Sequence, residues 1–287
     1  MKCISGHTKL VGVLGWPIGH SLSPHLHNQW ITINKIDATY VALPVDPIYL
    51  ATVVRALPRM GFIGVNVTVP HKENIFQLVD EIDELAMKVG AINTIDMLPS
   101  GQLRGRNTDV YGFEENLRSN AKQVNFNNIS ALVLGAGGAS RAICIALSRL
   151  GISEILLANR TRQRAEVLSS DIDNLIKTPV RVVDWDHRDG VLSDIGLVVN
   201  TTSLGMTGQQ PLSINLNALP AGSLVADIVY TPLETPLLAQ ANQLGHLAIN
   251  GLDMFLYQAQ AAFRGWFDIC PVIDDRIRTL ILNHNGR

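Results

Sequence analysis

One stretch, SALVLGAGGASRAICIALSRLG at residues 130 to 151, limits what this chain can fold into more than any other. An apolar run of strand character meets glycines and then a helical pattern that Gly151 closes. Gly135 and Gly137 stand in G-x-G-x-x-G register, with a small Ser140 at the third place. The first two glycines permit a tight turn and let the backbone approach a pyrophosphate, whose charge the helix N-terminus stabilises. Strand, turn and helix in that order demand a βαβ unit.

The same alternation runs through the chain. EILLAN, PVRVV, DIGLVVNTT and SLVADIVY extend the sheet after the glycine turn, while KLVGVLG, a helix after Pro24, ATYVALP, a helix near residues 47 to 60 and FIGVNVTV precede it. Such a pattern implies parallel sheets in an α/β protein. Asp109 to Asn120 reads as one helix, capped by Asp109 or Thr108 and connecting two α/β domains. The last helix is expected from Leu252 to Phe267, with a broad apolar face and no strand after it. Its expected partner is the first domain, reached by a chain that returns.

About 20 residues past the glycines, a chain that takes NAD offers an acid to the ribose hydroxyls. Here the second strand ends in Asn159, Arg160 and Thr161, with Arg164 one turn later. A carboxylate would repel a 2′-phosphate, whereas a guanidinium grips it through paired charge-assisted hydrogen bonds, so the sequence selects NADP. The other reading of Arg160 and Arg164 is a solvated helix start.

Composition narrows the remaining ligand. The 287 residues are 47% apolar with a net charge of -2, and the 25 acids and 23 bases form no block of one sign. No nucleic-acid face, no membrane-surface helix and no bilayer-spanning run is indicated, which leaves a small-molecule substrate. Cys3, Cys144 and Cys270 are odd in number and far apart, so no disulfide framework or zinc site is expected. A reducing cytoplasm fits, and Cys144 reads as buried packing.

Polar groups collect in the first half. In GVNVTVPHK, Val65, Val67 and Val69 alternate with Asn66 and Thr68, so the valines are expected to face the core and the polar pair the other side. Ser21 and Ser23 precede Pro24 at a helix start, where Ser23 is the natural N-cap; both either satisfy backbone donors or receive a small carboxylate. Asn93 and Thr94 in GAINTI and Asp109 in NTD add an amide, a hydroxyl and a carboxylate. Small hydrogen-bonding residues at strand ends suit a substrate rich in hydroxyls, and Lys72 and Asp109 are the charged candidates for proton transfer among these motifs. His71 is the rival acid or base, disfavoured because neighbours along an extended segment point apart.

SLSP, NVTVPHK, GAINT, NTDVYGF, GAGGASRA, NRT with a later Arg, NTTSLGM, DIVYTPLETPLL and NGLDMFLYQA follow one another over nearly the whole chain. In that order they resemble the shikimate dehydrogenase family. The resemblance implies a discontinuous substrate domain with a mainly parallel sheet, residues 1–109 and 250–287, and a Rossmann-type NADP-binding domain, residues 110–249. It implies reversible reduction of 3-dehydroshikimate to shikimate with NADPH, on the route to chorismate and the aromatic amino acids. Ser21 and Ser23 would hold the substrate carboxylate; Asn66, Thr68, Asn93, Asp109, Tyr230 and Gln258 would complete the substrate site. Lys72 and Asp109 are similar to the family's catalytic pair, the ammonium stabilising and protonating the oxygen as hydride arrives. Gly135, Ala136, Gly137, Gly138, Ala139, Asn159, Arg160, Thr161, Arg164, Thr201, Thr202, Ser203, Met206, Gly251 and Met254 would lie around the cofactor. Met206 and Met254 read equally well as core filler.

Two rivals stand beside this. A paralogue that oxidises quinate is disfavoured by Ser rather than Thr at position 23 and by Arg164. A protein that binds NADP and catalyses nothing would have lost Lys72 and Asp109, and both are present. No metal is expected, and the chain is expected to act as a monomer or homodimer.

Overall fold

A computed structural model describes residues 4–284, so Cys3 lies outside the described residues. The chain forms two compact units, one made of residues up to Thr108 together with those from Ala259 on, the other of Asp109–Gln258.

In the first unit, β1 (Lys9–Gly15), α1 (Ser23–Ile33), β2 (Ala38–Pro44), α2 (Leu50–Ala56), β3 (Phe62–Val67), β4 (Glu81–Ile82), α3 (Glu84–Val89), β5 (Thr94–Met97) and β6 (Leu103–Arg106) follow in order. The helix expected near 47 to 60 is α2 flanked by 3₁₀ turns at Pro47–Tyr49 and Leu57–Met60, because Pro58 supplies no donor to continue an α-helix. The sheet order is β2-β1-β3-β5-β6-β4. β1 runs parallel to β2 and β3, but β5 is antiparallel to both β3 and β6. That reversal carries the start of β5 to the C-terminal end of β3, where Asn66 pairs with Thr94.

Two local expectations are corrected here. Val69, expected in the core with Val65 and Val67, is 69% exposed, because β3 stops at Val67 and the chain turns away. Its carbonyl instead accepts from the Trp16 N–H. Ser23 is not the N-cap of α1: Leu22 occupies that position with no side-chain cap, and Ser23 is already helical. The Ser21 hydroxyl oxygen accepts from the Ser23 N–H at 3.3 Å.

The second unit opens with α4 (Asp109–Asn120), then β7 (Ser130–Leu134), α5 (Gly138–Leu150), β8 (Glu154–Asn159), α6 (Arg162–Asp173), β9 (Val180–Asp184), β10 (Leu197–Asn200), β11 (Leu224–Asp227), α7 (Pro236–Gln243), β12 (Leu247–Ile249) and α8 (Leu252–Phe267). The sheet order is β12-β11-β10-β7-β8-β9, and every pair is parallel. Helices joining parallel strands cover both faces, which is why β7, β8, β10 and β11 are apolar almost throughout rather than alternating. The unit boundary falls inside α8 rather than ahead of it, since Gly112 of α4 lies so close to the Met254 carbonyl and Gln258 that it has no room for a side chain.

A further helix, α9 (Asp275–His284), follows α8, so α8 is not the last helix. The Asp274 carboxylate accepts from the Ile277 N–H and so starts it, and Ile277 and Ile281 are its buried side chains. The part of α8 that belongs to the first unit supplies Phe263 and Trp266 to an aromatic cluster with His27, Trp30 and Tyr40. Gly64 is glycine because the Trp266 ring lies where its Cβ would be.

Candidate active site

In the first unit three of the polar residues singled out from sequence, Asn66, Asn93 and Thr94, form one hydrogen-bonded row with Tyr40 and Thr108 at the end of β3. The Asn66 Oδ1 accepts from the Tyr40 hydroxyl at 2.8 Å, and Nδ2 donates to Thr94 Oγ1 at 3.1 Å and to the Asn93 carbonyl at 3.3 Å. Thr94 donates in turn to Asn93 Oδ1 at 3.1 Å. The same oxygen accepts the Thr108 N–H at 2.8 Å, and Asn93 Nδ2 donates to Thr108 Oγ1 at 2.9 Å. All of these residues are buried. Asn93 thus grips Thr108 at backbone and side chain, immediately before Asp109. Burying so many amides and hydroxyls is tolerable only because each has a partner.

Thr68 lies past the strand end, half-buried, with its N–H on the Leu14 carbonyl. Lys72 is half-buried and its carbonyl accepts from the Ile92 N–H, which ties the segment after Pro70 to the approach of β5. His71 turns the other way. It is fully buried, with Nε2 2.8 Å from the Val45 carbonyl, so Nε2 carries the proton and the ring is engaged in the core.

In the second unit, Gly135 has a φ of +118°, and a Cβ there would lie 2.5 Å from Thr201 Oγ1; glycine is required on both counts. Gly137 differs. Its backbone is extended (φ -107°), it is exposed, and a Cβ would meet nothing within 4 Å, so the space beside it is open to a ligand. Ser140 explains the departure at the third glycine position. Its Oγ accepts from the Gly137 N–H at 3.1 Å and lies 2.6 Å from Thr201 Oγ1, whose hydroxyl donates to the Leu134 carbonyl. One buried serine therefore joins the turn, the helix start and the end of β10.

At the end of β8, Arg160, Thr161 and Arg164 are exposed, and Asn159 Nδ2 donates to the Thr161 carbonyl. Arg162 is paired with Glu166 and Asp184, whereas Arg160 and Arg164 take part in no ion pair among the described residues. A 2′-phosphate placed there would meet two uncommitted guanidiniums. The extended Gly137 backbone and these arginines fit a dinucleotide carrying that extra phosphate.

After β10, Thr201 is buried, Thr202 half-buried and Ser203 exposed. Asn200 shapes this loop: its Oδ1 accepts from the Thr202 N–H and hydroxyl, and Nδ2 donates to the Leu204 carbonyl and to Asp227 Oδ1. Asp227 also accepts from the Val229 N–H and the Thr235 hydroxyl, and burial raises its carboxyl above the usual range. Tyr230 stacks on Phe255 with centroids 4.9 Å apart, and burial pushes its hydroxyl up. Gly251 donates its N–H to the Val229 carbonyl and has no room for a Cβ beside Ile228. Met254 is buried while Met206 is 39% exposed, so core filling accounts for the first and not the second. Asp109 is buried at the first turn of α4, and the Gln258 amide donates to the Phe255 carbonyl of its own helix.

Comparison with known proteins bears on both units. Residues 13–95 match the family model described as shikimate dehydrogenase substrate binding domain, and residues 117–204 that of shikimate / quinate 5-dehydrogenase. A protein of Paramagnetospirillum magneticum named shikimate dehydrogenase (NADP(+)) is 50% identical over 98% of this chain and 100% of its own. The chain belongs to the shikimate dehydrogenase family. A crystal structure of a shikimate dehydrogenase in complex with NADP+ superposes with a TM-score of 0.92 at 33% identity, over 99% of this chain and 98% of that one. The shikimate dehydrogenase of Thermus thermophilus in complex with NADP(H) and shikimate gives 0.83 at 31% identity, over 96% of this chain and 98% of that one.

Four polar residues of this family member escape a reading of its sequence. Tyr40, Asn200, Asp227 and Thr235 stand in runs that look like ordinary strand or turn, and only their buried hydrogen bonds mark them. His27 escapes too: it is fully buried, both ring nitrogens lack a hydrogen-bond partner, and burial pulls its pKa down to about 3. Cys144 is buried and its thiol is pushed up to about 12, so it is packing and not a nucleophile. Among the described residues no helix is long and apolar enough to cross a membrane.

Proposed function

We propose that this chain, like the relatives named shikimate dehydrogenase (NADP(+)), is a shikimate dehydrogenase, and that it catalyses the reversible NADPH-dependent reduction of 3-dehydroshikimate to shikimate on the route to chorismate and the aromatic amino acids. The observation that carries the reading is the buried row of amides and hydroxyls at the end of β3, next to the segment that bears Lys72. A small ring with several hydroxyls fits such a row, because its amide and hydroxyl oxygens each have two lone pairs held in fixed directions by the bonds they make to one another. The first unit is the substrate domain and the second the NADP domain.

When bound, NADPH supplies the hydride and NADP+ takes it back. Lys72 stabilises the oxygen as it gains charge and gives it a proton, then recovers that proton in the oxidation direction. Asp109 is the second ionisable group of the pair and accepts from a substrate hydroxyl. Ser21 and Ser23 hold the carboxylate; Asn66, Thr68, Asn93, Tyr230 and Gln258 hold the ring. Gly135, Ala136, Gly137, Gly138 and Ala139 would hold the pyrophosphate, and Asn159, Arg160, Thr161 and Arg164 would hold the adenosine ribose and its phosphate. Thr201, Thr202, Ser203, Met206, Gly251 and Met254 would lie around the nicotinamide end of the cofactor. The enzyme acts in the cytoplasm as a monomer or homodimer.

The test is absorbance of the reduced cofactor with shikimate and with quinate, each with NADP and with NAD. Turnover with shikimate and NADP well above the other three combinations supports the reading. A higher kcat/KM with quinate and NAD makes the chain a quinate enzyme, the other activity in the description of the second family model. Silence in all four with NADP still binding leaves a binding protein.

A further inference from the structure

Asn200 and Asp227 stand opposite each other at the C-terminal ends of the parallel strands β10 and β11, and both are buried. A carboxylate in such a place is costly unless its oxygens are met. Asn200 Nδ2 and the Val229 N–H each donate to Asp227 Oδ1 at 3.0 Å, and the Thr235 hydroxyl donates to Oδ2 at 2.8 Å. Asn200 in turn uses its whole amide. Its Oδ1 accepts from the Thr202 N–H at 3.0 Å and the Thr202 hydroxyl at 2.7 Å, while Nδ2 gives its other proton to the Leu204 carbonyl at 3.1 Å. Both protons and both lone pairs are spent, so the amide has one orientation.

These bonds tie two loops together. One follows β10 through Thr202 and Leu204, and the other follows β11 through Val229 and Thr235. The Ile228 N–H donates to the Asn200 carbonyl at 3.1 Å and the Thr207 N–H to the Thr231 carbonyl at 2.9 Å, which fastens the same pair again. The Gly251 N–H donates to the Val229 carbonyl at 3.0 Å, so the turn before α8 joins the assembly. Thr235 is the N-cap of α7: its oxygen accepts from the Leu238 N–H while its proton goes to Asp227. A carboxylate suits this junction because it accepts through both oxygens and donates nothing. Asparagine in its place would turn an N–H either on the Asn200 and Val229 donors or on the Thr235 hydroxyl.

We propose that Asp227 is a positioning residue for the nicotinamide end of the NADP site: through Asn200, Val229 and Thr235 it fixes the loops after β10 and β11 against each other, and with them Thr202, Ser203 and Gly251. The inference rests on the second unit being the NADP domain with these loops at the nicotinamide. The adenosine end falls to other elements, the glycine turn after β7 and the arginines after β8, so the two ends of the cofactor respond separately to a change at Asp227.

The experiment is calorimetric binding of NADP+ and of adenosine 2′,5′-bisphosphate, which lacks the nicotinamide, to the full chain carrying Asp227→Asn, Thr235→Val or Thr235→Ser. Asp227→Asn is expected to weaken NADP+ about tenfold and the bisphosphate less than about twofold. Its kcat with shikimate is expected to fall about ten- to a hundredfold, the cost of a misplaced reacting group. Thr235→Val, which removes one donor and keeps the charge, is expected to weaken NADP+ about fivefold, and Thr235→Ser, which keeps the hydroxyl, less than about twofold. Equal losses for the two ligands, no loss for NADP+, an unchanged kcat, or Thr235→Ser as weak as Thr235→Val overturns the assignment. If Asp227→Asn does not fold, the two Thr235 variants decide it by the same comparison. A wild type that binds NADP+ but never turns over shikimate sinks the substrate reading, while the two affinities still decide the role of Asp227. A wild type that binds neither ligand sinks the reading of the second unit and the assignment with it.

Discussion

The two units meet their ligand chemistry in opposite ways. In the first, Asn66, Asn93, Thr94 and Thr108 are buried and spend their hydrogen bonds on one another. In the second, Gly137 is exposed beside open space, and Arg160 and Arg164 are exposed with no ion-pair partner among the described residues. A buried row hydrogen-bonded to itself is stiff and selects a ligand by the fixed directions of its groups. An exposed guanidinium selects by charge and adapts to the phosphate it finds. Substrate recognition is therefore expected to be sensitive to single hydroxyls, and cofactor choice to a single charge.

The largest effect should come from removing the charged group beside the wired row. Lys72→Ala is expected to lower kcat about a hundred- to ten-thousand-fold, while shikimate affinity by calorimetry changes only a few-fold. Unchanged kcat would move proton transfer away from Lys72. On the adaptable side, Arg160→Ala is expected to raise KM for NADP about tenfold or more and leave NAD within about twofold. Equal losses for the two cofactors would show that this residue supports the turn or the pyrophosphate, and the contrast between the units would fall.

Gly137→Ala sharpens the contrast inside the glycine turn itself. An extended backbone with nothing near its Cβ accepts alanine, so Tm should stay within about 2 °C while NADP affinity drops roughly tenfold, the methyl standing where the pyrophosphate must approach. A drop in Tm with no loss of affinity would make this glycine structural.

The smallest effect concerns the aromatic platform beneath the row. His27 is neutral in the fold, with a pKa of about 3 against 6.5 in an unfolded chain, so the unfolded state binds the extra proton between those values. Stability is then full above 6.5 and is lost as pH falls toward 3, by up to about 1.4 kcal/mol per pH unit from this group. In His27→Phe the acid limb of the urea midpoint against pH should be shallower. Equal slopes in both proteins would place the buried, neutral platform in error.

What could be read from the chain is uneven for a physical reason. The glycine turn, α4 from Asp109 to Asn120 and the bounds of α8 announce themselves because a turn or a helix depends on residues within a few places of one another. Asn66, Asn93 and Thr94 were visible as polar residues at strand ends, yet nothing local says that β5 runs antiparallel to β3 and sets Thr94 opposite Asn66. Ser23 reads as a cap because Pro24 follows it, whereas the helix starts one residue earlier, with Leu22 at the cap position. α9 was missed because Ile277 and Ile281 make a short apolar stripe in a polar segment, and what makes it a helix worth forming is the surface it covers.

The sequence by itself determined the kind of molecule: alternating strands and helices, a glycine turn between a strand and a helix, two arginines at the end of the next strand, and a lysine after a polar strand. The tertiary structure alone decided how those polar residues are used. Hydrogen-bond direction, the burial of His27 and Tyr40, the open space beside Gly137 and the turning of His71 into the core all depend on strand pairing and packing between residues distant in the chain, and no short-range propensity carries that information.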